Sequence, residues 1–430
     1  MERLLIKKLD TWKNKKNRKP IIIRGARQVG KTWLMKYFGK KSFKNVAYIN
    51  FESQEHLKNL FLEDFNIQRI MRTIKLATGV TPIAGKTLII FDEIQAADRG
   101  VTVLKYFCED APEFHVVAAG SLLGMALHKN TSFPVGKVEF LDLYPMNYFE
   151  FLKAVGESDL AELVKDGDWK LITAFKSRYI ERLRQYYYVG GMPEAVRAFA
   201  ENSDYDEVRE IQLNILQTYD NDFSKHAPEN LTPRIRMLWK GIPAQLSKEN
   251  KKFIYGLIKT GSRAKEYETA LLWIEDCGLV HKVCRISKPA IPLKSYEDLK
   301  SFKLFIVDIG LLAAMNKIDS SVLLNGNKLF QEFKGSMTEQ YVLQQLIINP
   351  NFQINYWSSE RSDGEVDFVV QTPTNILAVE VKAEENLKAK SLKAFIQKFD
   401  LSSAIRISMS DYRKESWLTN LPLYGIDNLK

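Results

Sequence analysis

Short apolar runs alternate with helical patterns over the first 150 residues of the chain. The runs cover residues 21–24, 46–51, 88–91 and 114–120, and polar residues or Pro precede each of them. Between the runs, apolar residues recur every three or four positions, as they do on one face of a helix. Strands that are apolar throughout are buried on both faces, which is typical of a parallel sheet covered by helices. The pattern predicts an α/β domain over residues 1–150.

The pattern changes after residue 150. Apolar residues at helical spacing dominate residues 151–230, and we expect this part to form a helical lid. Residues 231–328 then predict a helix over 253–259, a turn at Gly261 and Ser262, and a second helix over 263–277. A strand over 279–286 and a returning strand over 303–307 follow. Helix, short turn, helix and hairpin is the order of a winged helix-turn-helix, so we predict a winged-helix-like segment here.

The last hundred residues predict a separate α/β domain, which we place at residues 329–430. A helical pattern from Thr338 to Ile348 precedes strand-like runs at 354–357, 366–370 and 376–381. We place the junction with the preceding segment at residues 322–328, which end in Asn-Gly-Asn-Lys.

Composition excludes several classes of protein. Hydrophobic residues make up 45% of the 430 residues and charged residues 27%, which is the balance of a soluble globular chain. No run of about eighteen apolar residues occurs, so we expect no membrane-spanning helix, and the N-terminus lacks the apolar core of a secretory signal. Cys108, Cys277 and Cys284 have neither metal-site nor disulfide spacing. We therefore expect a protein of the reducing cytoplasm.

Positive charge is concentrated at the N-terminus. The net charge is +10, but residues 1–44 hold fifteen Lys and Arg and only two acidic residues, so the rest of the chain is slightly acidic. This distribution excludes a uniformly basic nucleic-acid-binding surface. The basic stretch over residues 13–19 is either a solvated face beside an anion site or a contact for nucleic acid.

A complete phosphate-binding motif follows the first predicted strand. It has the pattern G-x-x-x-x-G-K-[ST] between a strand and a helix, and comprises Gly25, Ala26, Arg27, Gln28, Val29, Gly30, Lys31 and Thr32. Glycines let the backbone turn tightly, so that successive N–H groups point at phosphate oxygens near a helix N-terminus. We expect Lys31 to reach the β- and γ-phosphates of ATP and the Thr32 hydroxyl to bind Mg²⁺.

The second half of the expected nucleotide site follows the strand at 88–91. This strand ends in Asp92 and Glu93, and we expect Asp92 to hold Mg²⁺ directly or through water, while Glu93 orients or deprotonates the attacking water. The alternative is a solvated strand end with two ordinary carboxylates. Ser121 follows the next strand, and it is either a sensor of the γ-phosphate or a simple helix N-cap.

These motifs in this order resemble an AAA+-type P-loop ATPase. The resemblance narrows to a widespread prokaryotic group through the phosphate loop, Phe-Asp-Glu-Ile-Gln at 91–95, Ala-Gly-Ser-Leu-Leu at 119–123, and the segments 143–152 and 188–196. Leu-Leu-Trp-Ile at 271–274 and Asp-Ile-Gly-Leu-Leu at 308–312 extend it. Members of the group join such an ATPase to a C-terminal domain of unassigned function. The resemblance implies ATP and Mg²⁺ as ligands.

One position departs from the family pattern. Where the group usually has Pro-Gly-Arg, this chain has Pro-Val-Gly-Lys ending at Lys137. Lysine lacks the planar fork of arginine, which argues against a trans-acting arginine finger at this position. Arg99 and Arg184 are alternative candidates that the sequence does not rank.

The winged-helix-like segment has two possible functions. Residues 233–288 hold twelve Lys and Arg against five acidic residues, which favours DNA. The second helix, however, presents Arg263 and Lys265 together with acidic residues that phosphates would repel. The segment is therefore either a docking site for a protein partner or a DNA-binding element. The sequence leaves oligomeric state open.

A second candidate site lies in the last hundred residues. Asp367 begins a strand, Glu380 and Lys382 end another, and Glu339 lies on the preceding helix. Side chains two positions apart on a strand point to the same face, so Asp367 and Glu380 could share Mg²⁺ or Mn²⁺, with Lys382 activating water and Glu339 completing the site. The set resembles the PD-(D/E)xK nucleases, without the Pro that often precedes the Asp. The alternative is a set of surface ion pairs.

Taken together, the predicted fold class is α/β, with a P-loop sheet domain, a helical lid, a winged helix and a C-terminal restriction-endonuclease-like domain. The predicted function is an Mg²⁺-dependent ATPase whose nucleotide state controls a nuclease-fold module that acts on DNA. The alternative is a signalling or scaffold ATPase whose nuclease fold and winged helix bind a protein partner without cleaving nucleic acid. We expect no membrane association.

Overall fold

A computed structural model describes residues 2–120, 134–246, 252–258, 263–325, 331–359, 364–384 and 389–429. The chain forms two compact units. The N-terminal unit comprises Glu2–Tyr144 and Asp276–Leu279, and the C-terminal unit comprises Pro145–Glu275 and Val280–Lys430. In the described ranges, none of the helices combines the length and apolar character needed to span a bilayer.

The N-terminal unit is built on a five-stranded parallel sheet. Its strands are β1 Ile21–Arg24, β2 Asn45–Asn50, β3 Thr87–Asp92, β4 His115–Ala119 and β5 Glu139–Asp142. The order is β2-β3-β4-β1-β5, so β4 lies between the strand that precedes the phosphate loop and the strand that ends in Asp92. Each of the four predicted apolar runs forms a strand, as expected from their burial on both faces.

Helices cover both faces of this sheet. They are α1 Leu5–Lys13, α2 Lys31–Ser42, α3 Ile67–Thr78 and α4 Gly100–Asp110. One face packs Ile49, Ile89 and Phe91 against apolar residues of α3 and α4. All residues of β3 are buried. The packed strand therefore fixes the positions of Asp92, its last residue, and of Glu93, which follows it.

The C-terminal unit begins with a helical part. Its first six helices are α5 Tyr148–Ala154, α6 Ser158–Asp166, α7 Trp169–Ala174, α8 Lys176–Val189, α9 Pro193–Asn202 and α10 Tyr205–His226. They confirm the predicted helical character of residues 151–230. The remaining helices are α11 Thr232–Leu246, α12 Ala264–Asp276, α13 Ile309–Met315, α14 Ser320–Asn325, α15 Gln331–Leu346 and α16 Lys390–Phe399.

An eight-stranded mixed sheet completes this unit. Its strands are β6 Val280–Ile286, β7 Glu297–Ile306, β8 Gln353–Ser358, β9 Glu365–Gln371, β10 Ile376–Val381, β11 Ala404–Ser408, β12 Arg413–Lys414 and β13 Leu418–Pro422. The order is β12-β13-β11-β10-β9-β8-β6-β7. Residues of α16 pack with β8, β9 and β10 in one apolar cluster that includes Trp357, Val369 and Phe395.

The sheet crosses the predicted boundary at residue 328. Helix α12 and the β6–β7 hairpin form where the winged-helix pattern placed them. However, β6 pairs in parallel with β8, through Arg285 with Tyr356 and Ile286 with Trp357. The hairpin therefore belongs to the sheet that we assigned to the separate C-terminal domain. The predicted helix over 253–259 is also wrong, because its described residues form only a short 3₁₀ turn, Tyr255–Leu257, while Gly261 and Ser262 lie outside the described residues.

Candidate functional site

The phosphate loop is a tight turn that requires glycine at both ends. Gly25 has φ 146° and Gly30 has φ 92°, values in the region that favours glycine. A Cβ atom at Gly25 would lie 2.2 Å from the carbonyl oxygen of Leu143. The buried guanidinium of Arg3 donates hydrogen bonds to the carbonyl oxygens of Val29, at 2.9 Å, and Tyr144, at 2.6 Å. Arg3, which is not part of the motif, thus anchors the loop through its backbone.

Lys31 is buried at the start of α2. Its ammonium donates to the carbonyl oxygens of Gly25, at 2.9 Å, and Ala26, at 2.8 Å. Burial lowers the pKa of Lys31 to about 8, although the nearby carboxylates of Glu93 and Asp92 oppose that change. A buried ammonium whose hydrogen-bond partners in the described chain are neutral carbonyl oxygens is well suited to exchange them for charged phosphate oxygens.

The Asp92 carboxylate accepts three hydrogen bonds within the described part of the chain. Its Oδ2 accepts from the Thr32 hydroxyl at 2.7 Å and from the Tyr48 hydroxyl at 2.9 Å, and its Oδ1 accepts from the backbone N–H of Glu93 at 3.2 Å. Burial raises the pKa of Asp92 even though these hydrogen bonds oppose the rise. The structure therefore joins the last residue of the phosphate loop to the end of β3.

Glu93 is held by its backbone conformation and by the side chain of Gln95. It has φ 49°, an uncommon conformation for a non-glycine residue, and it precedes the 3₁₀ turn Ile94–Ala96. The Gln95 amide donates to Glu93 Oε2 at 2.5 Å. Gln95 thus holds the predicted water-activating carboxylate in a defined position.

Of the other residues predicted around this site, one lies outside the described residues and the rest have other partners. Ser121 lies outside the described residues, directly after Gly120 and strand β4. Arg99 donates to the Leu62 carbonyl oxygen at 2.8 Å, Lys137 pairs with Glu109 at 2.9 Å, and Arg184 donates to a carbonyl oxygen of α14. The assignment of an arginine finger stays a prediction.

The second candidate set meets in the C-terminal unit. Glu339 lies on α15, Asp367 on β9 and Glu380 on β10, and Lys382 directly follows β10. Asp367 Oδ2 accepts from the backbone N–H of Val381 at 2.7 Å, and Lys382 Nζ pairs with Glu380 Oε1 at 2.7 Å. Burial alone would lower the pKa of Lys382, but the negative charges of Glu380, Asp367 and Glu339 have the larger combined effect. The pKa of Lys382 is therefore raised above its ordinary value.

A residue outside the predicted set also occupies this cluster. Lys303 of β7 is completely buried, forms a hydrogen bond with Glu365 Oε1 and lies 3.5 Å from Glu339 Oε2. Burial alone would lower the pKa of Lys303, but the carboxylates of Glu339, Glu365 and Asp367 raise it above its ordinary value.

Comparisons with known proteins bear on both units. Residues 17–152 match the family model described as an AAA domain. The N-terminal unit contains a P-loop ATPase-like domain. Residues 180–322 and 334–424 match two further family models, each described as a domain of unknown function, DUF8612 and DUF4143. The nuclease-like and winged-helix assignments therefore stay predictions.

Individual relatives are distant. An uncharacterized protein of Methanocaldococcus jannaschii is 25% identical over 211 residues, which are 49% of this chain and 43% of that protein. The chain thus spans less than half the length of this curated relative. A Walker-type ATPase of Pyrococcus abyssi is 14% identical, with a TM-score of 0.44, over 72% of this chain and 94% of that one. A RuvB variant of Thermotoga maritima is 16% identical, with a TM-score of 0.29, over 64% of this chain and 88% of that one.

The two sites differ in their fit to a divalent cation. In the ATPase-like domain, the Thr32 hydroxyl and the Asp92 carboxylate converge, and both are the oxygen ligands that Mg²⁺ prefers. In the C-terminal cluster, lysine ammoniums already pair with Glu339, Glu365 and Glu380. Across the described part of the chain, no three His, Cys, Asp or Glu side chains are grouped so that they could hold a metal ion. The Thr32 and Asp92 oxygens thus fit Mg²⁺, and the C-terminal cluster does not.

Sequence reasoning missed four residues that contact these sites: Arg3, Tyr48, Gln95 and Lys303. The sequence could have indicated Gln95, because it lies two residues after Glu93 in a motif that the sequence analysis had identified. Tyr48 and Lys303 come from strands that are distant in sequence from their carboxylate partners. Nothing in the spacing of the chain indicates those contacts.

Proposed function

We propose that the protein binds ATP with Mg²⁺ at residues 25–32 and hydrolyses it, with Glu93 as the residue that activates water. The hydrogen bond between Thr32 and Asp92 is the observation that supports this proposal most directly. It brings the hydroxyl and the carboxylate expected of a Mg²⁺-nucleotide site to one point, from segments sixty residues apart. The AAA domain match over residues 17–152 supports it independently.

The residues of the site have separable tasks. Backbone N–H groups of the loop and the N-terminus of α2 bind the phosphates. Lys31 leaves the carbonyl oxygens of Gly25 and Ala26 and binds phosphate oxygens instead. Bound Mg²⁺ supplies charge stabilisation to the phosphates. Glu93, held by Gln95, accepts a proton from the attacking water.

Two substitutions test this proposal. We expect Lys31→Ala to abolish Mg-ATP binding in calorimetry, because the loop then lacks its cation. The exposed Lys40 of α2 provides the matched control, Lys40→Ala, which should bind as the wild type does. We expect Glu93→Gln to retain ATP and lose turnover in a phosphate-release assay, while Glu55→Gln, at an exposed glutamate, retains both. Unchanged hydrolysis by Glu93→Gln would show that another group activates the water.

For the C-terminal unit, we propose the binding alternative: a module controlled by nucleotide state that holds a partner without cleaving nucleic acid. The ion pairs of Lys303 with Glu339 and of Lys382 with Glu380 support this choice, because they occupy two of the carboxylates that a nuclease would offer to a metal. The control by nucleotide requires contacts that differ between the ATP and ADP states.

Plasmid DNA provides the test of that choice. Wild-type protein and Asp367→Ala are incubated with supercoiled plasmid, ATP and either Mg²⁺ or Mn²⁺. We expect the two proteins to leave the plasmid equally intact on agarose gels. Cleavage by the wild type that disappears in Asp367→Ala would establish the nuclease prediction instead. Retention of the DNA in a gel shift, without cleavage, would identify nucleic acid as the bound partner.

A further inference from the structure

The phosphate loop carries an arginine at a position that its motif leaves open. Arg27 directly follows Ala26, whose carbonyl oxygen accepts a hydrogen bond from the Lys31 ammonium at 2.8 Å. Burial is the main reason that the pKa of Lys31 is lowered to about 8, and the positive charge of Arg27 adds to this lowering. Two cations therefore lie close together where we expect the β- and γ-phosphates of ATP.

Glu52 forms an ion pair with this arginine. The distance between Arg27 Nη2 and Glu52 Oε2 is 3.6 Å, and the side chains are 21% and 47% exposed. Ion pairs that are open to water are weak, because water competes for both charges. The planar fork of a guanidinium donates two parallel hydrogen bonds to phosphate oxygens. A phosphate that enters the loop is therefore a stronger partner for Arg27 than Glu52 is.

Glu52 belongs to a segment that contacts the end of β3. The Tyr48 hydroxyl donates to the Asp92 carboxylate at 2.9 Å, and the backbone N–H of Phe51 donates to the Asp92 carbonyl oxygen at 3.1 Å. The partner of Arg27 thus follows directly on a residue bonded to Asp92. Mg²⁺ held by such a carboxylate bridges the β- and γ-phosphates in P-loop ATPases. Arg27 therefore lies near the expected position of the γ-phosphate.

Other arginines of the N-terminal unit are held by different partners. Arg24 donates to both carboxylate oxygens of Asp142, at 2.8 and 2.9 Å. Arg3 and Arg99 donate to backbone carbonyl oxygens. Arg27 differs from them because it belongs to the phosphate loop itself.

We propose that Arg27 binds the γ-phosphate of ATP within its own chain, and that Glu52 holds it in the nucleotide-free protein. ATP binding breaks the ion pair and transfers the guanidinium to γ-phosphate oxygens. During hydrolysis the water oxygen bonds to the γ-phosphorus, the bond from phosphorus to the β–γ bridging oxygen breaks, and ADP leaves with that electron pair. Arg27 stabilises the charge on the γ-phosphate oxygens in this step. The inference rests on the ATPase function proposed above and identifies the arginine of that reaction.

Calorimetry on the full chain with Mg²⁺ tests the γ-phosphate contact. The ligands are ADP and an ATP analogue whose β–γ bridge cannot be cleaved. We expect Arg27→Gln to weaken binding of the analogue about tenfold and of ADP less than about twofold, because only the analogue carries the γ-phosphate. Glu52→Gln should strengthen binding of the analogue relative to ADP, since the competing carboxylate is gone. The exposed Arg72 of α3 gives the control, Arg72→Gln, which should match the wild type.

Phosphate release provides the second readout. We expect Arg27→Gln to lower kcat about a hundredfold, and Arg27→Lys to remain impaired because lysine keeps the charge but lacks the fork. A mixture of Arg27→Gln with Lys31→Ala then separates action within one chain from action between chains. The Lys31→Ala chain has an intact Arg27, so an arginine acting between chains would restore turnover to its neighbour. We expect no recovery.

The possible failures are distinct. Equal weakening of ADP and analogue binding by Arg27→Gln, or an unchanged kcat, would overturn the γ-phosphate contact. Recovery in the mixture would overturn action within one chain, and unchanged binding by Glu52→Gln would overturn the role of Glu52. If Arg27→Gln does not fold, Arg27→Lys carries the same comparison of ADP with the analogue, and equal affinities to the wild type would overturn the proposal. A wild type that binds neither nucleotide would remove the ATPase proposal as well, whereas the other failures leave it intact.

Discussion

The carboxylate of Asp308 accepts a hydrogen bond from the backbone N–H of Gly191, with 2.6 Å between Oδ2 and the nitrogen. The same oxygen accepts from Gln344 at 3.0 Å, and Oδ1 accepts from the N–H of Leu311 at 3.1 Å. Gly191 and Asp308 belong to two of the segments that resemble the prokaryotic ATPase group. Their contact shows that these two segments have a structural role: they join the end of helix α8 to the start of helix α13 within the C-terminal unit.

Replacing Asp308 by Asn should destabilise the C-terminal unit. Asparagine replaces one of the two carboxylate oxygens with an NH₂ group, which is a donor. This NH₂ group would face the backbone N–H of Gly191 or of Leu311 in a buried site, and neither could accept a hydrogen bond. We expect a loss of about 3 kcal/mol in the free energy of unfolding, measured in urea. Asp319→Asn is the control, since Asp319 is exposed and caps the next helix, and its loss should stay within about 0.5 kcal/mol. Equal losses would contradict a special role for Asp308.

Gly191 should not tolerate a methyl group. A Cβ atom there would lie 2.1 Å from the carbonyl oxygen of Met146, which is backbone and cannot move aside freely. We expect Gly191→Ala to cost about 3 kcal/mol in thermal or urea unfolding. Gly335→Ala makes the comparison, because nothing lies within 4 Å of its added Cβ in helix α15. This variant should gain about 0.5 to 1 kcal/mol, and a gain at both positions would refute the packing argument.

Gln95 should act on catalysis through Glu93. Its amide donates to Glu93 Oε2, with 2.5 Å between the two atoms, and we assign it no role in binding phosphate. We expect Gln95→Ala to lower kcat for ATP hydrolysis about tenfold while KM changes little, because a misplaced base affects the chemical step. The exposed Gln68 of α3 serves as control through Gln68→Ala. A rise in KM at unchanged kcat would instead assign Gln95 to nucleotide binding.

ATP affinity should fall as the pH rises above neutrality. The pKa of Lys31 is lowered to about 8 by burial, so the ammonium is charged below this value and neutral above it. If only the charged form binds phosphate, calorimetry should give a Kd about ten times weaker at pH 9 than at pH 7. A Kd that is constant over this range would show that Lys31 keeps its ordinary pKa in the folded protein.

The sequence by itself determined the parts of this protein whose contacts are local. The phosphate loop follows β1 directly, and Asp92 and Glu93 end a strand that is apolar throughout, so residue type and spacing suffice to place them. The helical character of residues 151–230 also follows from short-range periodicity. For the same reason, glycine at positions 25 and 30 could be recognised from the motif alone.

Only the tertiary structure decided the contacts between distant segments. Tyr48 reaches Asp92, and Lys303 reaches Glu365, across 44 and 62 residues of chain. The pairing of β6 with β8 likewise joins two segments that the local pattern assigned to different domains. Periodicity reports which face of an element is buried, but not which distant side chain meets it there. That choice follows from strand order and from the need of each buried charge for a partner.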